Sequence, residues 1–145
     1  MALETDGPGP DEIAAWIKAT YPDAVTASAL GAIFFSLDES HWPNFATVVT
    51  TDEHDMGQPS RLSRPGVFRL NIATRKETFQ RLVGGMENPD YAALDRILPH
   101  PVYANELWVS ILNPSWRTFN EQVKPLIAES YERLARARRR RARPT

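Results

Sequence analysis

The chain has no cysteine. That one absence removes disulfides, thiolate metal sites and cysteine nucleophiles together. Long apolar runs are missing too, and none approaches the ~20 residues that cross a bilayer. The first residues, Met-Ala-Leu-Glu-Thr-Asp, are acidic and lack the basic-then-apolar order of a secretory signal. Glycine-rich phosphate loops are absent, since Gly84-Gly85 is an isolated pair. Ser60, Ser115 and Ser130 lack the flanking glycines of a nucleophile elbow, which weighs against a serine hydrolase. A soluble, cytoplasmic chain fits these absences.

What is present describes an ordinary globular domain. Apolar residues make up 42% of the chain and charged residues 24%, which argues against general disorder. At 145 residues one domain is expected, burying roughly two thirds of its unfolded surface. The net charge of −1 conceals an asymmetry. Residues 1–132 carry ten Lys/Arg against eighteen Asp/Glu, whereas residues 133–145 carry seven Arg and no acid. Such a basic end meets phosphate, or else it is a solvated helix end whose cations complement the helix dipole.

Residues 1–9, with Gly7-Pro8 and a second Gly-Pro pair across the boundary at Gly9-Pro10, read as a disordered lead-in, and residues 10–135 as a single domain. Pro10 opens a helix whose apolar stripe is Ile13, Trp16, Ile17 and Tyr21, and Pro22 stops it. Ala24–Ala29, Ala32–Leu37 and Phe45–Thr51 read as strands, the last two joined at Asp38-Glu39-Ser40. Residues 52–65 form a long polar loop, uncommon in a compact domain unless it is functional or mobile. Gly66–Ile72 reads as a strand that places Arg69 and Asn71 on one face and Phe68, Leu70 and Ile72 on the other. Thr74 to Glu77 has the pattern of a capping box. A short helix is expected over Asp90–Ile97, a strand over Leu107–Leu112, and a last helix from Phe119 to Leu134 that Pro125 kinks or restarts. Residues 136–145 read as an Arg-rich tail. The sum is an α+β domain: one antiparallel-dominated sheet backed by N- and C-terminal helices.

Three histidines raise the question of metal. His41, His54 and His100 lack zinc-motif spacing, and the cluster Asp52-Glu53-His54-Asp55 sits on a loop that preorganises ligands poorly, so no metal is expected. His100 is held between Pro99 and Pro101, with Tyr103 and Trp108 close behind, so an aromatic-walled pocket with a fixed imidazole is feasible. Its roles divide between general base, hydrogen-bond donor to a ligand, and structural brace. Arg69 and Asn71 either clamp a carboxylate or phosphate or pair with acids of the same chain. Most aromatics, Phe34 among them, count as core, while Trp42 and Trp116 adjoin turns and suit exposed stacking.

The strings Phe45-Ala-Thr-Val-Val-Thr50, Arg64-Pro-Gly-Val-Phe-Arg-Leu-Asn-Ile72, Pro99-His-Pro-Val-Tyr103, Trp108-Val109 and Leu112-Asn-Pro114 resemble an uncharacterised bacterial family of unknown function over most of residues 10–135. More distantly, Arg69-Leu-Asn71, His100 before Trp108, and Leu126-Ile-Ala-Glu-Ser-Tyr131 are similar to the MmcQ/YjbR-like group. That resemblance implies a CyaY-like, double-wing α+β fold. It implies little about function, since the closer family has no assigned activity and the distant group is only proposed to bind DNA. The chain departs from the pattern after Thr51 and around Gly85–Pro89.

The leading expectation is a small-molecule-binding protein. In a catalytic version, a cofactor-independent accessory enzyme of specialised metabolism, His100 is acid/base, Arg69 holds an oxyanion and Tyr103 orients a polar or acidic substrate. Asn71, Trp108, Asn113 and His54 complete the expected ligand-binding set. The alternatives are a nucleic-acid-binding module using the Arg-rich end, and a regulatory protein that forms a homodimer through a sheet edge.

Overall fold

The structure, a computed structural model, describes residues 6–142. Helix α1 (Pro10–Thr20) starts with Asp11 and Glu12 in its first turn and buries Ile13, Ala14 and Ile17. Strands β1 (Val25–Ala29), β2 (Ala32–Ser36), β3 (Asn44–Val49) and β4 (Arg69–Ala73) follow, then α2 (Lys76–Val83), β5 (Leu98–Pro99) and β6 (Trp108–Leu112). The chain ends in α3 (Trp116–Thr118), a π-helical turn over Phe119–Val123, and α4 (Lys124–Ala142). The six strands form one sheet in the order β1-β2-β3-β4-β6-β5, and every strand pair is antiparallel. This is the α+β architecture expected from the element order.

Alternation along the central strands gives the sheet two unlike faces. Phe35, Ala46, Val48, Leu70, Ile72, Val109 and Ile111 join Ile13, Ile17, Phe119, Val123 and Ile127 in the main core beneath the helices. The bond from Ser130 Oγ to the Phe45 carbonyl, 2.7 Å, ties α4 to β3. On the opposite face, Ala32, Val49, Leu62, Val67 and Leu112 make a smaller cluster. Among the described residues no α-helix covers that face. Its cover comes from the loop after β3.

Several local expectations are corrected. The helix expected over Asp90–Ile97 does not form. Asp90 instead accepts from the Ala92 N–H at 3.0 Å, Leu94 bridges to Leu112, and Asp95 takes φ 53°. An Asx turn competes with helix at such a site, and pairing with β6 decides the outcome. The Thr74 capping box is also absent, because the Thr74 hydroxyl donates to the Leu107 carbonyl at 2.6 Å. Its capping task passes to Glu129 of α4, which accepts from Arg75 N–H (3.3 Å) and Thr78 Oγ (2.7 Å). The restart expected at Pro125 is seen: the α-helix resumes at Lys124, with Pro125 in its first turn. The wide π turn precedes it, and a π turn relieves the clash between a proline ring and the carbonyl of the preceding turn.

The N-terminal end differs from expectation, whereas the Arg-rich end takes the solvated-helix form that was one of its two readings. Met1–Thr5, the first part of the expected lead-in, lie outside the described residues. Residues 6–9 dock on the start of α3: Trp116 N–H donates to the Asp6 carbonyl at 3.0 Å, and Pro8 is buried. A Cβ on Gly7 would stand 2.0 Å from the Pro114 carbonyl oxygen, so this approach requires glycine. Residues 136–142 of the expected tail continue α4, and Arg143–Thr145 lie outside the described residues.

Candidate functional site

The helix-free face carries a buried polar network. Strand β4 points Arg69 and Asn71 toward it, and Arg69 is only 1% exposed. A buried guanidinium needs a counter-charge. Asp55 supplies it from the loop after β3, with Oδ2 facing Nη1 and Oδ1 at 3.3 Å from Nη2. Nη1 also donates to Ser60 Oγ at 2.9 Å, and Nε donates to Asn71 Oδ1 at 2.8 Å. Asn71 Nδ2 passes the chain on to Thr47 Oγ1 at 2.9 Å. These contacts engage four of the five guanidinium N–H groups inside the protein.

The loop is built to deliver Asp55. Buried Asp52 accepts the N–H groups of Leu62 (2.8 Å) and Ser63 (3.0 Å), folding the segment back on itself. Arg64 reinforces the fold by donating to the carbonyls of Ser60 (3.1 Å) and Ala92 (2.9 Å). His54 Nε2 donates to the Leu30 carbonyl at 2.9 Å. The Asp52–Asp55 cluster is thus divided among three different structural tasks.

The second half of the site is a turn organised around His100. Its backbone N–H joins the Trp108 carbonyl at 3.0 Å, extending the β5–β6 pairing. Pro101 has no N–H to compete, and the next two amides, Val102 and Tyr103, both donate to His100 Nδ1 at 3.0 Å. Because Nδ1 accepts twice, the ring proton belongs on Nε2. Burial, aided by the Arg69 guanidinium and opposed by Asp55, pushes the imidazole down to about 3. His100 is therefore a neutral ring with a fixed Nε2–H. At 3% exposure it makes no hydrogen bond through Nε2 among the described residues.

These parts enclose a cavity of ≈ 310 Å³ between the sheet face and the two loops. His100, Arg69, Tyr103, Asn71, Trp108 and His54 all line it, so six of the seven side chains expected at the site share one space. Asn113 does not. Its amide accepts from Phe68 N–H (3.1 Å) and donates to the Gly66 carbonyl (2.8 Å), clamping the approach to β4 against the end of β6. Tyr103 is 51% exposed and its ring centroid lies 5.1 Å from that of His100.

Other lining groups were not legible as site residues. Phe34, counted as core from sequence, is half-buried in the cavity wall, and Asn44, Thr47, Asp55 and Glu106 also line it. Trp42, which suited stacking from its place beside a turn, lines the mouth and is 71% exposed. Asn44 Oδ1 is buried without a hydrogen-bond partner. A signal for Asp55 did exist: an Arg on the face of a strand buried on both sides demands an acid, and the nearest loop is acidic.

Fold and site together define an α+β protein with a one-sided helical layer and a loop-roofed polar cavity on the other side of its sheet. Residues 8–143 match the model of a family of unknown function, DUF6194, and the chain belongs to that family. No curated protein and no solved structure matches it.

Proposed function

We propose that the protein binds a small organic molecule in the cavity between β2, β3, β4, β6 and the His100 turn. One observation carries the reading: an imidazole fixed through Nδ1 by two backbone N–H groups, with no protein partner at Nε2 among the described residues, lines a cavity walled by aromatic rings. Concave, mainly apolar spaces of ~300–1,000 Å³ with a few placed polar groups are the usual form of ligand sites. Binding is favoured over acid–base catalysis. Nδ1 is committed to Val102 and Tyr103, and a ring held near 3 is a weak base at neutral pH. The Arg69 pairing with Asp55 likewise disfavours the oxyanion role. The test is to map a mixture of small aromatic fragments by amide chemical shifts. Shifts gathered at Asn71, Val102, Tyr103 and Trp108 support the reading, while shifts confined to other surfaces reject it.

A second reading is DNA binding of the kind proposed for the MmcQ/YjbR-like group. It is favoured by the exposed side chains of Arg133, Arg136 and Arg138 to Arg141 on α4. Against it, Glu132 already pairs with Arg136 (3.2 Å) and Arg139 (2.9 Å). Phosphate-driven affinity falls steeply as salt rises. Affinity that survives a rise from 50 to ~200 mM salt, or that persists when these arginines become Gln, rejects this second reading.

A further inference from the structure

We infer, resting on the binding reading above, that the ligand is an uncharged, flat molecule of one or two fused rings whose carbonyl-type oxygen accepts the Nε2–H of His100. Four aromatic side chains line the cavity: Phe34, Trp42, Tyr103 and Trp108. Planar rings stack on such walls with little loss of conformational freedom. The polar floor offers no net charge, because Arg69 lies against Asp55. Glu106 at the rim adds an acidic side chain, and no lining residue other than Arg69 is a Lys or Arg among the described residues.

A carboxylate or phosphate ligand would leave water for a site whose single guanidinium is already engaged, beside two acidic side chains. Desolvation then goes uncompensated. A cation would meet the rings and Glu106 favourably at the mouth. Deeper in, it would give up water beside an ion pair that is already neutral and meet the positive end of the His100 N–H dipole. A neutral acceptor suffers neither cost.

The β3 flank supplies a second polar contact. Asn44 opens β3 and His100 directly follows β5, three sheet spacings away in the order β3-β4-β6-β5, or roughly 14 Å between backbones at ~4.8 Å per step. With the side chains reaching inward, one or two rings fit the remaining gap. Asn44 Oδ1 lacks a partner, and a ligand N–H satisfies it once the amide turns toward the cavity.

The experiment uses three bicyclic probes of similar size with the full-length protein: 2-quinolinone, 2-naphthoate and naphthalen-2-ylmethylammonium, titrated by amide chemical shifts. The expected result is that 2-quinolinone shifts Asn71, Val102 and Tyr103 and binds at least about ten-fold more tightly than either charged probe. In His100→Asn, Oδ1 replaces Nδ1 as acceptor for the turn while the Nε2–H is lost. That variant is expected to keep its fold and to bind 2-quinolinone about ten-fold more weakly. Tighter binding of either charged probe at the same amides overturns the ligand class and leaves the pocket reading standing. Unchanged 2-quinolinone affinity in His100→Asn overturns the role of the Nε2–H. If none of the three shifts these amides, both the ligand class and the pocket reading fall.

Discussion

At the scale of single residues, Arg69 and His100 show how burial changes chemistry that a sequence can only nominate. Arg69 was open to two readings, an anion clamp or a partner for an acid of the same chain. The Asp55 contact realises the second, though inside the protein rather than on an exposed face. Replacing Asp55 by Asn leaves the guanidinium buried without its counter-charge, and the expected loss is about 3–5 kcal/mol in urea unfolding. Replacing both partners by apolar residues, as in Asp55→Leu with Arg69→Met, is expected to recover much of that loss. A single-variant loss below about 1 kcal/mol would mean that the pair is solvated in solution.

His100 carries a pH signature. Its folded value, about 3, lies below the ordinary histidine value of 6.5, so the unfolded chain binds a proton first as pH falls. The stability that follows is fully present above pH ~6.5 and is lost progressively as pH drops toward 3. Between pH ~6.5 and 5, above most carboxylate titration, the slope is expected to approach ~1.4 kcal/mol per pH unit. His100→Asn is expected to flatten that window in denaturant titrations. Equal slopes for wild type and variant would contradict a buried neutral ring.

Among the elements, capping is settled across the fold rather than along the chain. Thr74 to Glu77 has the local pattern of a capping box, but Thr74 bonds to Leu107 instead and Glu129 reaches over from α4. Glu129→Ala is expected to destabilise by ~0.5–2 kcal/mol, the usual cost of a lost cap. It should also raise hydrogen exchange at Arg75 to Thr78 before the rest of the molecule. Uniform acceleration over all helices would point to global rather than local loosening. Helix α1 and β4 were legible because their periodicity is long or clean. The segment over Asp90–Ile97 was not, because a short apolar pattern does not distinguish helix from a chain pulled into pairing with β6.

On the scale of the whole molecule, the sheet divides labour between its faces. One face is sealed by α1 and α4, and the other is roofed only by loops, so the cavity depends on the least regular parts of the chain. Loop segments with few apolar contacts open at low free energy. Saturation with a bound ligand such as 2-quinolinone is therefore expected to slow hydrogen exchange at Leu62, Ser63, Val102 and Tyr103 most strongly. Protection spread evenly over the main core would instead indicate stabilisation without local closure.

Sequence by itself determined the class of fold, the helical and strand periodicities at the centre of the chain, and the shared face of Arg69 and Asn71. Those features follow from local rules, namely alternation with period two, apolar stripes at helical spacing, and prolines that stop elements. It also nominated His100, Tyr103 and Trp108, because prolines and aromatics mark a stiff segment. Only the tertiary structure decided that these five side chains, together with His54, line one cavity. It alone showed that Asp55 is the partner of Arg69 and that both donors to His100 Nδ1 are backbone amides. The reason is physical: charge state and hydrogen-bond commitment depend on which groups lose water together. That is fixed by contacts between segments far apart in the chain.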